Sequence, residues 1–556
     1  MTTHHAPPTD ALLREGTTCW RRARAARLAL IVDAADYFRH LRTALTRAER
    51  AVYLIGWDFD LRIDMLPGES DADGLAPDGW PNALGQFLEA VVERRPGVQL
   101  HILKWDGAMI AEIATQAWET ISLKMASDRI HFALDSHHPA GACHHQKIVV
   151  IDDALAFCGG IDVTTGRWDT RDHTPDDDRR ADPDGSLHQP WHDVTTALEG
   201  PVAKALGDLA RMRWRNATDE DLPEPSGGPS PWPDDLEPSI RDVEVAIART
   251  APRYHGRDLV NEIEELYLAA IRAARRTIYV ESQYLASGSI CEAMEARLRE
   301  PDGPEIVIVN PQSAQSWLED KAMHSVRSRM IERLRDADGG RGRFAIFHPV
   351  NEGGTPIYVH AKVFVVDDRF LKVGSSNIDN RSMGFDTECD VAIDASSEKE
   401  RTLVRDFTLS LLAEHLDCEP DAVRAAWDEH GALRPAVDAL RRDEGRSLQP
   451  IEALPLDALE RALADSKIFD PDHRPENQVS VKDRAKHACK RAVEPYHLES
   501  VGIGTILAAA GIAVLGVWAG RKALRSVRAR RRPPLAAPAV VTRGTFRPPV
   551  PPAPRD

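Results

Sequence analysis

Short apolar runs, bounded by polar or glycine-containing turns, recur along this chain in the same order twice. Residues 51–57 (AVYLIGW), 98–105 (VQLHILKW) and 148–151 (IVVI) read as strands. Residues 277–284 (TIYVESQY), 305–309 (EIVIV) and 363–366 (VFVV) repeat that order farther on. The last run of each set is apolar at every position, as in a strand buried on both faces. A glycine-containing turn follows each one, CGGID at 158–162 and VGSSN at 373–377. Ahead of the first set, residues 12–47 read as helical, with 33–47 keeping the helical period. The pattern predicts two β–α–β–β halves, at 1–217 and 240–415. An acidic, turn-rich linker joins them at 218–239. The polar stretch 171–189 reads as a surface loop over the first half.

Helical patterning continues past residue 394 and gives a C-terminal helical extension at 416–470, then a linker at 471–500. Residues 501–520, VGIGTILAAAGIAVLGVWAG, carry no charge. At about 1.5 Å per residue such a helix crosses a hydrocarbon core of ~30 Å. It shows no polar face of the kind a surface helix needs. The expectation is therefore a single membrane span near the C-terminus, followed by a basic, Pro-rich tail at 521–556. The N-terminal residues lack the apolar core of a signal peptide, so the body is expected to be cytoplasmic and held at a membrane.

Charge narrows the class. The chain has a net charge of −17, yet residues 501–556 carry 10 Lys+Arg against the single acid Asp556. The first 500 residues are thus at −26, a poor match to a polyanion, because nucleic-acid affinity comes from neutralising phosphates. No nucleic-acid partner is expected, and a monomer is. The 7 cysteines are widely spaced without a CxxC, which suggests neither a zinc framework nor a disulfide set.

The chemistry lies beside the apolar strands. His145, Lys147 and Asp152 stand in HQKIVVID; His360, Lys362 and Asp367 stand at the same spacing in HAKVFVVD. A histidine can attack phosphorus or protonate a leaving oxygen near neutral pH. A lysine two residues along a strand points to the same face and can neutralise a phosphoryl oxygen that gains charge. A buried strand behind the pair holds it rigidly. Two copies make chance an unsatisfactory explanation.

This doubled motif resembles that of the phospholipase D superfamily. Gly166, Arg167, Trp168 and Asp169, then Pro190, Trp191, His192 and Asp193, then Gly200, Pro201, Arg213 and Trp214 resemble the surroundings of the first motif in true phospholipases D. Glu281, Ser282, Gln283 and Tyr284 resemble their second-half strand. Asn377, Asp379, Arg381, Ser382 and Glu388 resemble the region after the second motif, which the cardiolipin synthase branch shares closely.

The resemblance implies an α/β fold, with a mixed β-sheet flanked by helices in each of two pseudo-symmetric halves that share one active site. It implies phospholipase D chemistry on a glycerophospholipid at a phospholipid membrane, through a phosphohistidine, with water or an alcohol as acceptor. A cardiolipin synthase-type phosphatidyltransferase is the alternative, and a non-lipid phosphodiesterase or nuclease the second. His145 is the expected nucleophile and His360 the general acid, an order that can be swapped. Lys147 and Lys362 would bind phosphoryl oxygens, and Asn377 would donate to one. Asp162 stands in the matching place of the first half but, when ionised, cannot donate. Asp169 and Glu388 are expected to orient the imidazoles, Asp152 and Asp367 to stabilise the turn after each strand. Glu281 and Gln283 are expected in the pocket. Trp191, His192 and Asp193 suit packing as well as the site, and Trp57 and Trp105 suit a core. No cofactor is expected. The lysines supply the charge a metal would otherwise give, so the reaction needs no metal ion.

Overall fold

The computed structural model describes residues 11–108, 127–225, 228–313 and 317–453. The first half runs β1 (Arg21–Val32), α1 (Ala34–Thr46), β2 (Ala51–Gly56), α2 (Leu84–Arg94), β3 (Gln99–Trp105), β4 (Ile130–Asp135), β5 (Ile148–Ile151), β6 (Leu155–Gly159), β7 (Trp191–His192), β8 (Val194–Glu199) and α3 (Pro201–Thr218). The second runs β9 (Ile240–Ala251), β10 (Val260–Asn261), α4 (Glu262–Ala273), β11 (Thr277–Glu281), α5 (Gly288–Arg299), β12 (Glu305–Val309), α6 (Trp317–Asp338), β13 (Phe344–Val350), β14 (Tyr358–Val359), β15 (Val363–Val366), β16 (Phe370–Gly374), α7 (Asn380–Gly384), β17 (Glu388–Asp394) and α8 (Glu398–Leu416). After it come α9 (Pro420–His430), α10 (Leu433–Leu440) and β18 (Ser447–Pro450).

One mixed sheet of 16 strands spans both halves, in the order β18, β13, β12, β11, β15, β16, β17, β9, β1, β8, β6, β5, β2, β3, β4, with β10 beside β9. Apart from β10 and β18, this order reads as a palindrome about the antiparallel β9–β1 pair, so that β5 answers β15 and β8 answers β17. The two halves belong to one compact unit, Met1–Glu476.

The apolar motif strands are buried on both faces, as expected. Val149 and Ile151 of β5 pack in the core with α1 and α2, whereas Ile148 and Val150 face the core with α3. In β15, Phe364 and Val366 meet the α4 and α5 side, and Val363 and Val365 the α8 side. A strand clamped between two helical layers has almost no freedom to shift the His–Lys pair at its start.

One expectation needs correction, and two gain detail. Residues 12–47 are not all helix: the Arg- and Ala-rich segment from Arg21 forms β1. Helix propensity favours Ala and Arg, but pairing with β8 and β9 overrides it. The exposed arginines of β1 meet carboxylates on neighbouring elements, Arg24 to Asp242 at 3.0 Å and Arg21 to Asp208 at 2.5 Å. The 218–239 linker is anchored, because Trp232 and Leu236 are buried in the first-half core and the Arg47 guanidinium donates to the Trp232 carbonyl at 2.6 Å. The C-terminal extension also contributes a strand, since β18 pairs antiparallel with β13 and lengthens the sheet. The 501–520 stretch lies outside the described residues; among those described, no helix is long and apolar enough to cross a membrane.

Asp152 and Asp367 end the motif strands in the left-handed region, at φ 56 and 53. Asp tolerates that conformation better than most residues. The Asp152 carboxylate accepts the backbone N–H groups of Glu49, Arg50 and Ala51 at 2.7–2.8 Å. The Asp367 carboxylate accepts those of Arg275, Arg276 and Thr277 at 2.8–3.0 Å. Both therefore lock strand to neighbouring strand, and their carboxylates are occupied by these backbone N–H groups. Asp152→Ala removes three charge-assisted bonds at once and lowers unfolding stability by about 2–4 kcal/mol in a denaturant titration.

Candidate active site

Backbone bonds that cross between the halves set the two motif histidines. The His145 N–H donates to the Thr387 carbonyl at 2.9 Å, and Thr387 N–H to the Cys143 carbonyl at 3.0 Å. In the mirrored place β14 pairs with β7, and the His360 N–H donates to the His192 carbonyl at 2.8 Å. Each motif is thus stitched to the other half, next to the residue that holds its imidazole.

Those residues are carboxylates. His145 Nδ1 lies 3.0 Å from both carboxylate oxygens of Glu388. His360 Nδ1 lies 2.6 Å from Asp193 Oδ2. An ionised carboxylate can only accept, so with Glu388 and Asp193 ionised each Nδ1 carries the proton and each Nε2 is left for chemistry. The pairing is crosswise: Glu388 serves the histidine of the first half, and Asp193 that of the second. Ser382 Oγ donates to Glu388 at 2.8 Å, and Ser375 Oγ also donates to it. Asp379 caps α7 and accepts the Ser382 N–H at 2.8 Å, fixing that serine.

Asp169 does not orient a motif imidazole, contrary to expectation. It accepts the Trp191 N–H at 2.9 Å and pairs with His173 Nδ1 at 3.0 Å and Arg180 at 3.2 Å. It resembles Glu388 only in its distance along the chain from a motif histidine. The polar loop that begins after Gly166 separates that count from space, and Asp193, at the start of β8, occupies the true counterpart. Glu281 is likewise not a pocket residue. It is fully buried behind the site, where its oxygens meet His192 Nε2 at 3.0 Å, His415 Nε2 at 3.0 Å and the Tyr279 hydroxyl at 2.6 Å. Burial raises its pKa, but the two histidines outweigh that and hold it at about 2.

The lysines differ in surroundings. Lys147 Nζ pairs with Asp162 Oδ2 at 3.0 Å, and Asp162 Oδ1 accepts the Trp57 N–H at 3.1 Å. Asp162 therefore positions the lysine. Asn377 is its counterpart and brings no charge. Lys362 Nζ meets the Gln283 amide oxygen at 3.3 Å and the His360 carbonyl, and Asn377 Nδ2 donates to the same Gln283 oxygen at 3.4 Å. Gln283 thus lies between Lys362 and Asn377. Asn377 Oδ1 is buried without a hydrogen-bond partner. Arg167 stacks over Trp191, whose ring in turn lies against His360. Trp57 and Trp105 stack on each other half-buried, rather than filling the core.

Electrostatics follow from this arrangement. Burial, with no carboxylate in contact, pulls Lys362 down to about 7. Burial, then the ammonium groups of Lys147 and Lys362, hold His145 well below the usual histidine range. Burial, Lys362, Arg167, Lys147 and His145 do the same to His360. Both ammonium groups thus act on both imidazoles, which makes the two motifs one site. Burial raises Glu388 and Asp193. Two lysines and two imidazoles are thus gathered in a desolvated site.

Two family models match this chain, "Phospholipase D" over residues 44–224 and "Cardiolipin synthase, PLD-like domain" over residues 267–408, together more than half of it. The chain belongs to the phospholipase D superfamily. Its relatives in that superfamily include phospholipase D alpha 1 of Vigna unguiculata, 24% identical over 515 residues that cover 67% of this chain and 63% of the relative. Phospholipase D alpha 1 of Carica papaya is 25% identical, with 67% of this chain and 63% of the relative covered. Phospholipase D A of Dictyostelium discoideum is 24% identical, with 70% and 36% covered. The chain spans less than two thirds of the length of these relatives. Among solved structures it is similar to phosphatidylserine synthase of Haemophilus influenzae, at TM-score 0.48 and 10% identity, covering 74% of this chain and 94% of that one.

Proposed function

We propose that the protein is a phospholipase D, which hydrolyses the head-group phosphodiester of a glycerophospholipid to phosphatidate and an alcohol. The observation that carries this reading is the crosswise pair of imidazole–carboxylate units around two lysines. His145 Nε2 attacks phosphorus, and the bond to the head-group oxygen breaks. His360 Nε2 delivers its proton to that oxygen as the alcohol leaves. Water then gives a proton to His360 and attacks phosphorus, the P–N bond breaks, and phosphatidate departs. The phosphodiester anion offsets the cations that depress His360, so substrate binding itself raises the fraction of imidazolium that can act as acid. Lys147, Lys362 and Asn377 hold the phosphoryl oxygens as their charge grows.

A second reading, phosphatidyl transfer to an alcohol, is favoured by the cardiolipin synthase-like match of the second half. The phosphohistidine is common to both, and the acceptor decides between them. The 501–520 segment would keep the enzyme beside its substrate as a membrane anchor.

Product analysis tests the proposal. With phosphatidylcholine in mixed micelles the expected product is phosphatidate, diverted to a phosphatidylalcohol when a primary alcohol is added. Cardiolipin and glycerol from phosphatidylglycerol alone would move the protein to the transferase reading. No turnover of any lipid, with cleavage of a nucleic acid, would sink both.

The state of Lys362 sets an alkaline limit. With its pKa at about 7, it loses its proton above neutrality, and kcat/KM, which reports the free enzyme, declines by up to about tenfold per pH unit there. Asn377→Asp gives Lys362 the counter-charge that Lys147 already has and shifts this limb to higher pH. A limb that stayed in place would dissociate it from Lys362.

A further inference from the structure

Next to Asp193, whose N–H donates to Asp33, lies a second cluster of buried groups that the proposed chemistry does not use. His173 comes from the loop after the first motif, His192 from β7, Asp33 from the junction of β1 with α1, and Glu414 from the last turn of α8. Their side chains are 0–2% exposed. One ligand atom from each lies within 4.8 Å of all the others. His173 Nε2 stands 3.5 Å from Asp33 Oδ2 and 3.3 Å from Glu414 Oε1, and His192 Nδ1 stands 3.2 Å from Asp33 Oδ1 and 2.9 Å from Glu414 Oε1. A tetrahedron with metal–ligand bonds of about 2.0–2.2 Å has edges of roughly 3.3–3.6 Å. The four quoted contacts, which use both oxygens of Asp33, run from 2.9 to 3.5 Å, and the remaining separations stay within 4.8 Å.

Three further observations point to a cation. Asp33 Oδ2 and His192 Nδ1 are buried and make no hydrogen bond of acceptable geometry, although both face into the cluster. The far nitrogen of each histidine is held by a carboxylate, His173 Nδ1 by Asp169 at 3.0 Å and His192 Nε2 by Glu281 at 3.0 Å. That is the outer arrangement which fixes the tautomer of a metal-bound imidazole. The charges also leave a gap. Asp33, Asp169, Glu281 and Glu414 bring four negative charges, while Arg171 on Glu414 and Arg180 on Asp169 answer two. With both imidazoles neutral, as metal ligands are, two buried negative charges need two positive ones close by.

We propose that Asp33, His173, His192 and Glu414 bind one divalent transition-metal ion of the zinc class, in a closed, structural site. Two nitrogens and two carboxylate oxygens in a tetrahedron suit zinc better than magnesium or calcium, which prefer six or more oxygens. With all four positions taken by protein, the ion has no open place for substrate. Its effect passes through Asp33, whose Oδ1 accepts the Asp193 N–H at 3.0 Å, and through His192, whose carbonyl accepts the His360 N–H at 2.8 Å. The ion therefore stiffens the mount of His360 and takes no part in the reaction.

The test is metal content. The full chain, made without an affinity tag in zinc-supplemented medium and dialysed against EDTA, is expected to keep about one zinc per chain by mass spectrometry. It should release that zinc only on unfolding. Refolding with cobalt alone should give the visible absorption of a tetrahedral cobalt site, and zinc should raise the melting temperature of chelator-refolded protein. Asp33→Asn and His173→Gln should each lower zinc content at least tenfold, whereas His255→Ala, on the surface, should not. A native chain free of zinc, with no cobalt spectrum and no change in melting temperature on adding zinc, overturns the proposal; the cluster then holds its charge balance with protons on its imidazoles. Should the ligand variants fail to fold, the wild-type zinc and cobalt measurements decide alone. Folded ligand variants that keep full zinc also overturn it.

Discussion

Either His145→Ala or His360→Ala lowers turnover of a phospholipid by about 10⁴-fold or more. Neither half can compensate, because each contributes one imidazole to a single pocket and each imidazole needs the carboxylate of the other half. The two variants part company on a substrate with a good leaving group, such as a nitrophenyl phosphodiester. That leaving group needs no acid, so the variant that lacks only the general acid still releases one equivalent of nitrophenol and stops at the phosphohistidine. The variant that lacks the nucleophile releases none. The assignment made above expects the burst in His360→Ala. A burst in His145→Ala instead reverses the roles, and near-normal steady turnover in either variant removes the two-histidine mechanism.

The carboxylates carry the next largest effect. Glu388→Gln and Asp193→Asn are each expected to lower kcat by about 10²–10³, as loss of an orienting carboxylate does elsewhere, while KM changes little. Both residues are positioning groups that act through an imidazole, so the pH profile separates this role from a structural one. An amide can donate to Nδ1, which moves the imidazole proton to Nε2 and blocks attack or changes the limb that reports His145 or His360. A variant with an unaltered profile and a lowered melting temperature alone would mean that the carboxylate merely holds the fold. The crosswise pairing adds a sharper expectation. In Glu388→Gln, with His145 taken as nucleophile, the burst on the activated substrate is lost along with turnover. In Asp193→Asn the burst survives.

The motif triplets and their strands could be read directly, because short apolar runs buried on both faces leave an unmistakable pattern. The roles of Asp152 and Asp367 were legible too, since a carboxylate after a strand has free N–H groups within reach. What the sequence concealed were relations between distant segments. Asp169 and Glu388 lie at similar distances past their histidines, and linear spacing therefore paired them. Space pairs Asp193 with Glu388, because the loop at 166–190 is inserted in one half only. The signal that could have revealed this is pairing: Trp191 and His192 form a short strand with Tyr358 and Val359, just as His144 bridges to Thr387. β1 was masked by its own composition, since Ala and Arg alternate there in a way that fits a helix until two partner strands are present. Glu281 carries the right residue type two places before Gln283, but its carboxylate is buried against His192 and His415. The second cluster had no sequence signature at all, because its four residues come from four elements spread over almost the whole described chain.

The distance along the chain between the partners has a consequence for biosynthesis. His145 waits for a carboxylate 243 residues later, and Asp193 waits 167 residues for its histidine. A polypeptide emerging from the ribosome holds an inert first half until Glu388 has been made and docked, and contacts of such long separation form slowly. A reaction that needs both imidazoles in place therefore cannot begin before the second half has been translated and docked, and a transcript truncated before Glu388 yields a chain whose site is incomplete.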